Sequence, residues 1–312
     1  MLVAAAAAAA QPAVTSTDMP AVTGGRLHPG TALGPERAAV EEAIATKRWD
    51  DAARLLAAAI ERSPDSTELL TLLGRVFLTA GRPLNAAVAF KKAEAISPLD
   101  ADTRFSLALA YIAMGRGEWA QPELERLSAA DPSRPVFTYW LGRLDYDAGR
   151  YASAIARFQQ VIATEPSSVR AHDNLGLCYD AQHQPDLALA SHLRAVELNR
   201  KASTRSPWPP LNLGVLRRQR GEWADAEALL REALAIDPAL AQAHYELGAL
   251  LDARGAVEPA LASLRAAATA APAYPEPHYA LARILWRLGR PRDAEQAMST
   301  FLKLREARAG AR

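Results

Sequence analysis

Residues 67–100 read TELLTLLGRVFLTAGRPLNAAVAFKKAEAISPLD, and the arrangement in this stretch returns through most of the chain. Leu70, Leu73, Gly74 and Phe77 fall on one stripe at helical spacing, which predicts a helix with a single packing face. Gly81 follows, and a residue just past a helix often needs a left-handed conformation that glycine adopts freely. Ala86 and Phe90 open a second stripe, and Pro98 halts it because the residue before a proline resists helical angles. The stretch therefore predicts two antiparallel helices joined by a short turn.

Pro64, Pro98, Pro132 and Pro166 stand 34 residues apart, and Pro238 and Pro272 resume the spacing after an insertion of four residues. A period of 34 predicts a stacked helix–turn–helix repeat. Setting each proline at position 32 gives repeats near 33–66, 67–100, 101–134, 135–168, 169–202, 207–240, 241–274 and 275–312. Position 20 is then Ala52, Ala86, Ala120, Ala154, Ala188, Ala226, Ala260 and Ala294. Position 8 is Gly or Ala in every repeat but the first, which has Val40. Small residues at both positions permit close approach of the two helices.

Four departures carry their own expectations. Ala39 and Val40 in place of the Leu–Gly pair mark the first repeat as an N-terminal cap. Arg116-Gly117-Glu118-Trp119 is expected to lengthen the third turn, with Pro122 early in the following helix. His183 replaces the turn glycine of the fifth repeat. Ala202–Pro210, rich in proline, is expected to be an extended insertion, either a contact loop or hinge, or a tolerated loop whose Trp208 plugs a joint. At the C-terminus, Ala294, Met298 and Phe301 continue a packing stripe while Glu295, Gln296, Lys303 and Arg305 keep the other side polar, as a capping helix requires.

With Leu175-Gly176-x-x-Tyr179, Ala188 and Ala195, or Phe90, Ala93 and Pro98, the chain resembles the tetratricopeptide repeat family over about nine-tenths of its length. The resemblance implies an all-α, right-handed α-solenoid of about eight antiparallel helix–turn–helix units. It also implies that positions 2, 5, 9 and 12 of each first helix line a concave groove. Those positions nominate Phe105, Tyr139, Arg143, Tyr146, Trp208, Arg218, Tyr245, Tyr279, Arg283 and Trp286 as partner-binding residues. Aromatic residues and arginine dominate binding hot spots. Asn174 and Asn212 share position 6, similar to the asparagine ladder of glycosyltransferase-linked arrays, but two rungs without a catalytic domain do not make one.

Composition bounds the rest. Half of the 312 residues are hydrophobic, aromatics are 6 %, and net charge is +1. That balance gives no reason to expect nucleic acid as a partner. Cys178 is alone, so no disulfide framework is expected. No nucleophile elbow, phosphate-binding glycine loop or metal-ligand pair occurs, so no catalytic, cofactor or metal site is expected. His172, His244 and His278 share position 4 and read as half-buried packing residues. No stretch after the N-terminus is long and apolar enough to span a membrane. Residues 1–32 read as a flexible leader whose Ala4–Ala10 run resembles part of a secretion signal, and export and cytoplasmic residence both stand open. The expected function is a non-enzymatic scaffold, with the monomer favoured, holding an extended or helical segment of another protein. The alternative is a self-associating spacer or an adaptor subunit of an envelope or secretion assembly.

Overall fold

A computed structural model describes residues 33–310; the leader expected at 1–32 lies outside the described residues. Among the described residues there are sixteen α-helices and no strand. They form two compact units, over 33–164 and 165–310, each built of helix hairpins. The first unit contains α1 (Arg37–Ala45), α2 (Trp49–Arg62), α3 (Thr67–Thr79), α4 (Pro83–Ile96), α5 (Ala101–Ala113), α6 (Gly117–Ala130), α7 (Pro135–Asp147) and α8 (Tyr151–Thr164). The second contains α9 (Val169–Ala181), α10 (Pro185–Lys201), α11 (Trp208–Gln219), α12 (Trp223–Ile236), α13 (Ala241–Ala253), α14 (Val257–Ala270), α15 (Pro275–Arg287) and α16 (Pro291–Gly310). The fold class is the all-α solenoid of helix hairpins.

The turn inside each hairpin is one device used eight times. Residues 47, 81, 115, 149, 183, 221, 255 and 289 all have positive φ, between 56° and 77°. The amide of the next residue donates to the carbonyl five positions earlier, as from Arg82 to Phe77 at 2.8 Å and from Gln184 to Tyr179 at 2.9 Å. This six-to-one bond satisfies a helix-end carbonyl that would otherwise lack a partner. Six of the eight positions are glycine; Lys47 and His183 adopt the same conformation against the steric preference of a side-chain-bearing residue.

Close packing across each hairpin rests on two positions. All eight alanines of position 20 are fully buried. The position 8 residue faces the position 24 side chain: a Cβ built on Gly74 would stand 2.5–2.8 Å from three ring atoms of Phe90, and one on Gly248 would stand 2.7 Å from Cγ of Leu264. Where position 8 is already alanine, at Ala108 and Ala282, position 24 holds the unringed Leu124 and Met298. Van der Waals volume is thus shared between the two positions, as dense packing requires.

Three expectations are corrected. The third turn is not lengthened: Gly115 has φ +70°, Arg116 donates to Tyr111 at 2.8 Å, and α6 starts at Gly117, as in the other hairpins. Pro122 is the sixth residue of α6, beyond the first turn, where a missing N–H costs an intrahelical bond. The 202–210 insertion is not extended throughout. α10 runs to Lys201, and Trp208, Pro209 and Pro210 already form the first turn of α11, where backbone N–H groups need no intrahelical partner. Between them, buried Asn199 donates through Nδ2 to the Ser206 carbonyl at 2.7 Å and accepts from the Ser206 amide at 2.8 Å. That two-point bridge fixes the linking segment.

Candidate functional site

In the unit over 33–164 the nominated stripe is filled by packing. Phe105, Tyr139 and Arg143 are only 3 %, 5 % and 4 % exposed, which corrects the expectation of an open surface there. Phe105 on α5 meets Phe137 on α7 edge-on at 5.3 Å between centroids. Tyr139 contacts the rings of Trp140 and Phe158 at 5.7 and 5.8 Å. Arg143 lies 3.6 Å from Asp147 and over the ring of half-buried Tyr146, which itself meets Tyr151 at 5.6 Å. Phe105 thus fills the seam between two first helices and Tyr139 packs on the second helix of its own hairpin, so size alone does not make a groove residue. Edge-to-face pairs of this kind stabilise the packing beyond their buried area.

The unit over 165–310 is different. Trp208 is half-buried and packs on the apolar core that α11 to α16 share. Tyr245 on α13 is half-buried and meets the Tyr274 ring edge-on at 5.6 Å. Burial raises the Tyr245 phenol above its ordinary value, and the charges of Glu246, Arg218, Glu276 and Arg283 all reach it. Burial likewise raises the Glu246 carboxyl, against the pull of Arg218, whose Nη2 lies 2.9 Å from Glu246 Oε2. That contact is a close ion pair with poor hydrogen-bond alignment, because Arg218 Nε and Glu246 Oε2 both lack a hydrogen-bond partner among the described residues.

On α15 the stripe opens to solvent. Tyr279 is 43 % and Trp286 45 % exposed, with Arg283 exposed between them. At i, i+4 and i+7 the three side chains share one helical face. Tyr279 is braced from behind by Phe301 of α16 at 5.2 Å between centroids, and Arg305 covers that Phe301 ring. Tyr245 thus lies within electrostatic reach of both Arg218 and Arg283, and Tyr279 and Trp286 share one face with Arg283. Phe105, Tyr139 and Arg143 are built into the core of the other unit.

A buried polar cluster in the second unit was missed by the sequence reading. Asp173 accepts from Asn212 Nδ2 at 3.0 Å and lies 2.9 Å from His192 Nδ1, with all three side chains buried. The His192 ring covers Gly176, where a Cβ would stand 2.6–2.7 Å from it. The available signal was positional: His192 occupies position 24, which holds Leu, Phe or Met in every other repeat. Its hydrogen-bonding capacity explains why Asp173, nominally a groove position, points inward, since buried polar groups require partners. His172 and His244 are half-buried, and their Nε2 atoms bond the carbonyls of Pro166 and Pro238 at 3.1 and 2.9 Å. Cys178 is buried. Among the described residues no group of three or more candidate side chains could hold a metal ion, and no helix is long and apolar enough to cross a membrane.

Sequence models of the tetratricopeptide repeat match residues 37–101, 141–204 and 77–138, and a further TPR repeat model matches 214–252, together about two thirds of the chain. The BBSome complex member BBS4 of Bos taurus is 23 % identical over 176 residues, which is 55 % of this chain and 33 % of BBS4. The chain thus matches about a third of the length of that curated relative. A tetratricopeptide repeat protein from Parabacteroides merdae is similar with a TM-score of 0.67 and 16 % identity, over 88 % of this chain and all of that one. The APC/C hetero-tetramer Cut9–Hcn1 gives a TM-score of 0.65 and 15 % identity, over 88 % of this chain and 54 % of that one. These solved structures share the fold.

Proposed function

The chain belongs to the tetratricopeptide repeat family, whose fold serves protein–protein interaction, and on that premise we propose a non-enzymatic scaffold that binds a segment of another protein along the first-helix stripe of α11, α13 and α15. The observation that carries this reading is the exposure of Tyr279, Arg283 and Trp286 on one face of α15. Exposed tryptophan and tyrosine flanking arginine is the composition of a binding hot spot, and such aromatic area gains stability when a partner covers it. Arg218 and Tyr245 extend the surface onto α11 and α13, while Trp208 anchors the start of α11 to the core. BBS4 belongs to a named complex and Cut9 assembles with Hcn1, so relatives in sequence and in fold work inside multi-protein assemblies.

The test compares two double variants of the full chain. Tyr279→Ser with Trp286→Ser strips the stripe, and Leu187→Ser with Leu193→Ser strips exposed apolar groups of the second helix α10. Recovery of co-purifying partners is expected to fall with the first pair and persist with the second. Loss with the α10 pair alone overturns the reading. A self-associating spacer remains the alternative, favoured by exposed Leu288 and Leu302 on the last hairpin. Concentration-dependent size in light scattering that Leu302→Glu abolishes would establish it.

A further inference from the structure

Resting on that reading, we propose that the face of α15 formed by Tyr279, Arg283 and Trp286 takes an acidic segment of the partner protein, with an Asp or Glu carboxylate on Arg283 and an adjoining apolar side chain against the two rings. On α11, α13 and α15 the stripe residues Arg218, Asp252 and Glu276 pair with Glu246, Arg287 and Arg308. Arg283 is exposed on the same stripe, and no ion pair or hydrogen bond joins it to another group among the described residues. The stripe thus ends in one unneutralised guanidinium set between two exposed rings.

Chemistry narrows what that arrangement recognises. A guanidinium presents a planar fork that matches a carboxylate in two-point geometry. Trp286 stands seven helical steps beyond Tyr279, a rise of about 10 Å, which suits a few side chains of a bound segment. The Phe301 ring behind Tyr279 restrains it, so ordering that side chain costs less on binding. A nucleic acid fits poorly, because phosphate chains need several cations and the face formed by Tyr279, Arg283 and Trp286 supplies one. A segment with one carboxylate needs only the single guanidinium.

The experiment offers a displayed library of random dodecapeptides to the full chain, to Arg283→Glu and to Arg265→Ala on α14. The wild type and Arg265→Ala are expected to enrich peptides bearing Asp or Glu beside an aromatic or branched aliphatic residue. Arg283→Glu is expected to enrich Lys or Arg instead. The best wild-type peptide, followed by fluorescence anisotropy, is expected to bind Arg283→Ala about five- to twentyfold more weakly, and Tyr279→Ser more weakly as well. Equal thermal melts of the variants establish that each is folded. Identical peptide composition from wild type and Arg283→Glu overturns the acidic preference and leaves the scaffold reading standing, provided Tyr279→Ser weakens binding. Failure of every form to enrich any peptide overturns both. Tighter binding of single-stranded oligoadenylate than of any peptide, or a dimer that Arg283→Glu dissociates, also overturns the proposal.

Discussion

Gly74→Ala would test the steric account of each hairpin. The added Cβ would stand 2.5, 2.7 and 2.8 Å from three atoms of the Phe90 ring, where ordinary contacts lie between 3.4 and 4 Å. The ring must retreat by roughly an ångström inside a close-packed core, and overpacking of this kind costs about 1–3 kcal/mol. Alanine returns about 1 kcal/mol of helix propensity. Since the clash is with a rigid ring, the upper end applies and a net loss of about 2 kcal/mol is expected. Phe90→Leu alone leaves a void worth about 1–2 kcal/mol. The double variant reproduces the pairing the chain already uses at Ala108 and Leu124, so its stability is expected to match or exceed that of Phe90→Leu. The predicted coupling is therefore about 2 kcal/mol, read from a double-mutant cycle. Stability in a repeat array is local, so the assay is hydrogen exchange of α3 and α4 as well as urea unfolding of the whole chain. Additive effects, or a stabilised Gly74→Ala, would refute the shared-volume reasoning.

Three further outcomes follow from particular residues. His183→Gly relieves a left-handed residue, φ +57°, at about 1–2 kcal/mol, less about 0.4–1 kcal/mol of added unfolded-state entropy; thermal denaturation is expected to show a net gain, and a lower melting temperature would contradict it. Asn199→Ala removes both bonds to Ser206 and leaves a half-buried amide without its acceptor, so exchange at residues 202–207 should accelerate and stability fall by about 1 kcal/mol. Burial raises the Glu246 carboxyl, so the folded chain holds that proton more tightly than the unfolded one. Its contribution to stability is complete below the ordinary carboxylate value and declines as pH rises through the folded one. Glu246→Gln should therefore gain on the wild type as pH rises above the ordinary carboxylate value in paired melting curves, and a constant difference would count against it.

The hairpins were legible because their constraints are local and repeat: position 20 must be small, position 15 must turn left-handed, and both leave single-residue signatures. Lys47 was harder to see because it meets the same backbone demand without the glycine that announces it. The groove was legible only in part. The same stripe positions that are open at Tyr279 and Trp286 are closed at Phe105 and Tyr139, because a neighbouring first helix supplies Phe137 against one and α8 supplies Phe158 against the other. Which fate a stripe residue meets depends on what packs beside it, and its own identity does not record that. Asp173 shows the same limit, since its inward turn depends on His192 from the following helix and Asn212 thirty-nine positions later.

Hydroxyl-radical footprinting of the full chain, with and without a co-purified partner, reads out whether that partner is held on the first-helix stripe of the second unit. Tyr279 and Trp286 are exposed on α15, and Trp223, 40 % exposed on the second helix α12, serves as an internal reference. Protection of Tyr279 and Trp286 with Trp223 unchanged is the predicted result. Protection of Trp223 while both α15 rings stay as reactive as in the free protein would contradict it.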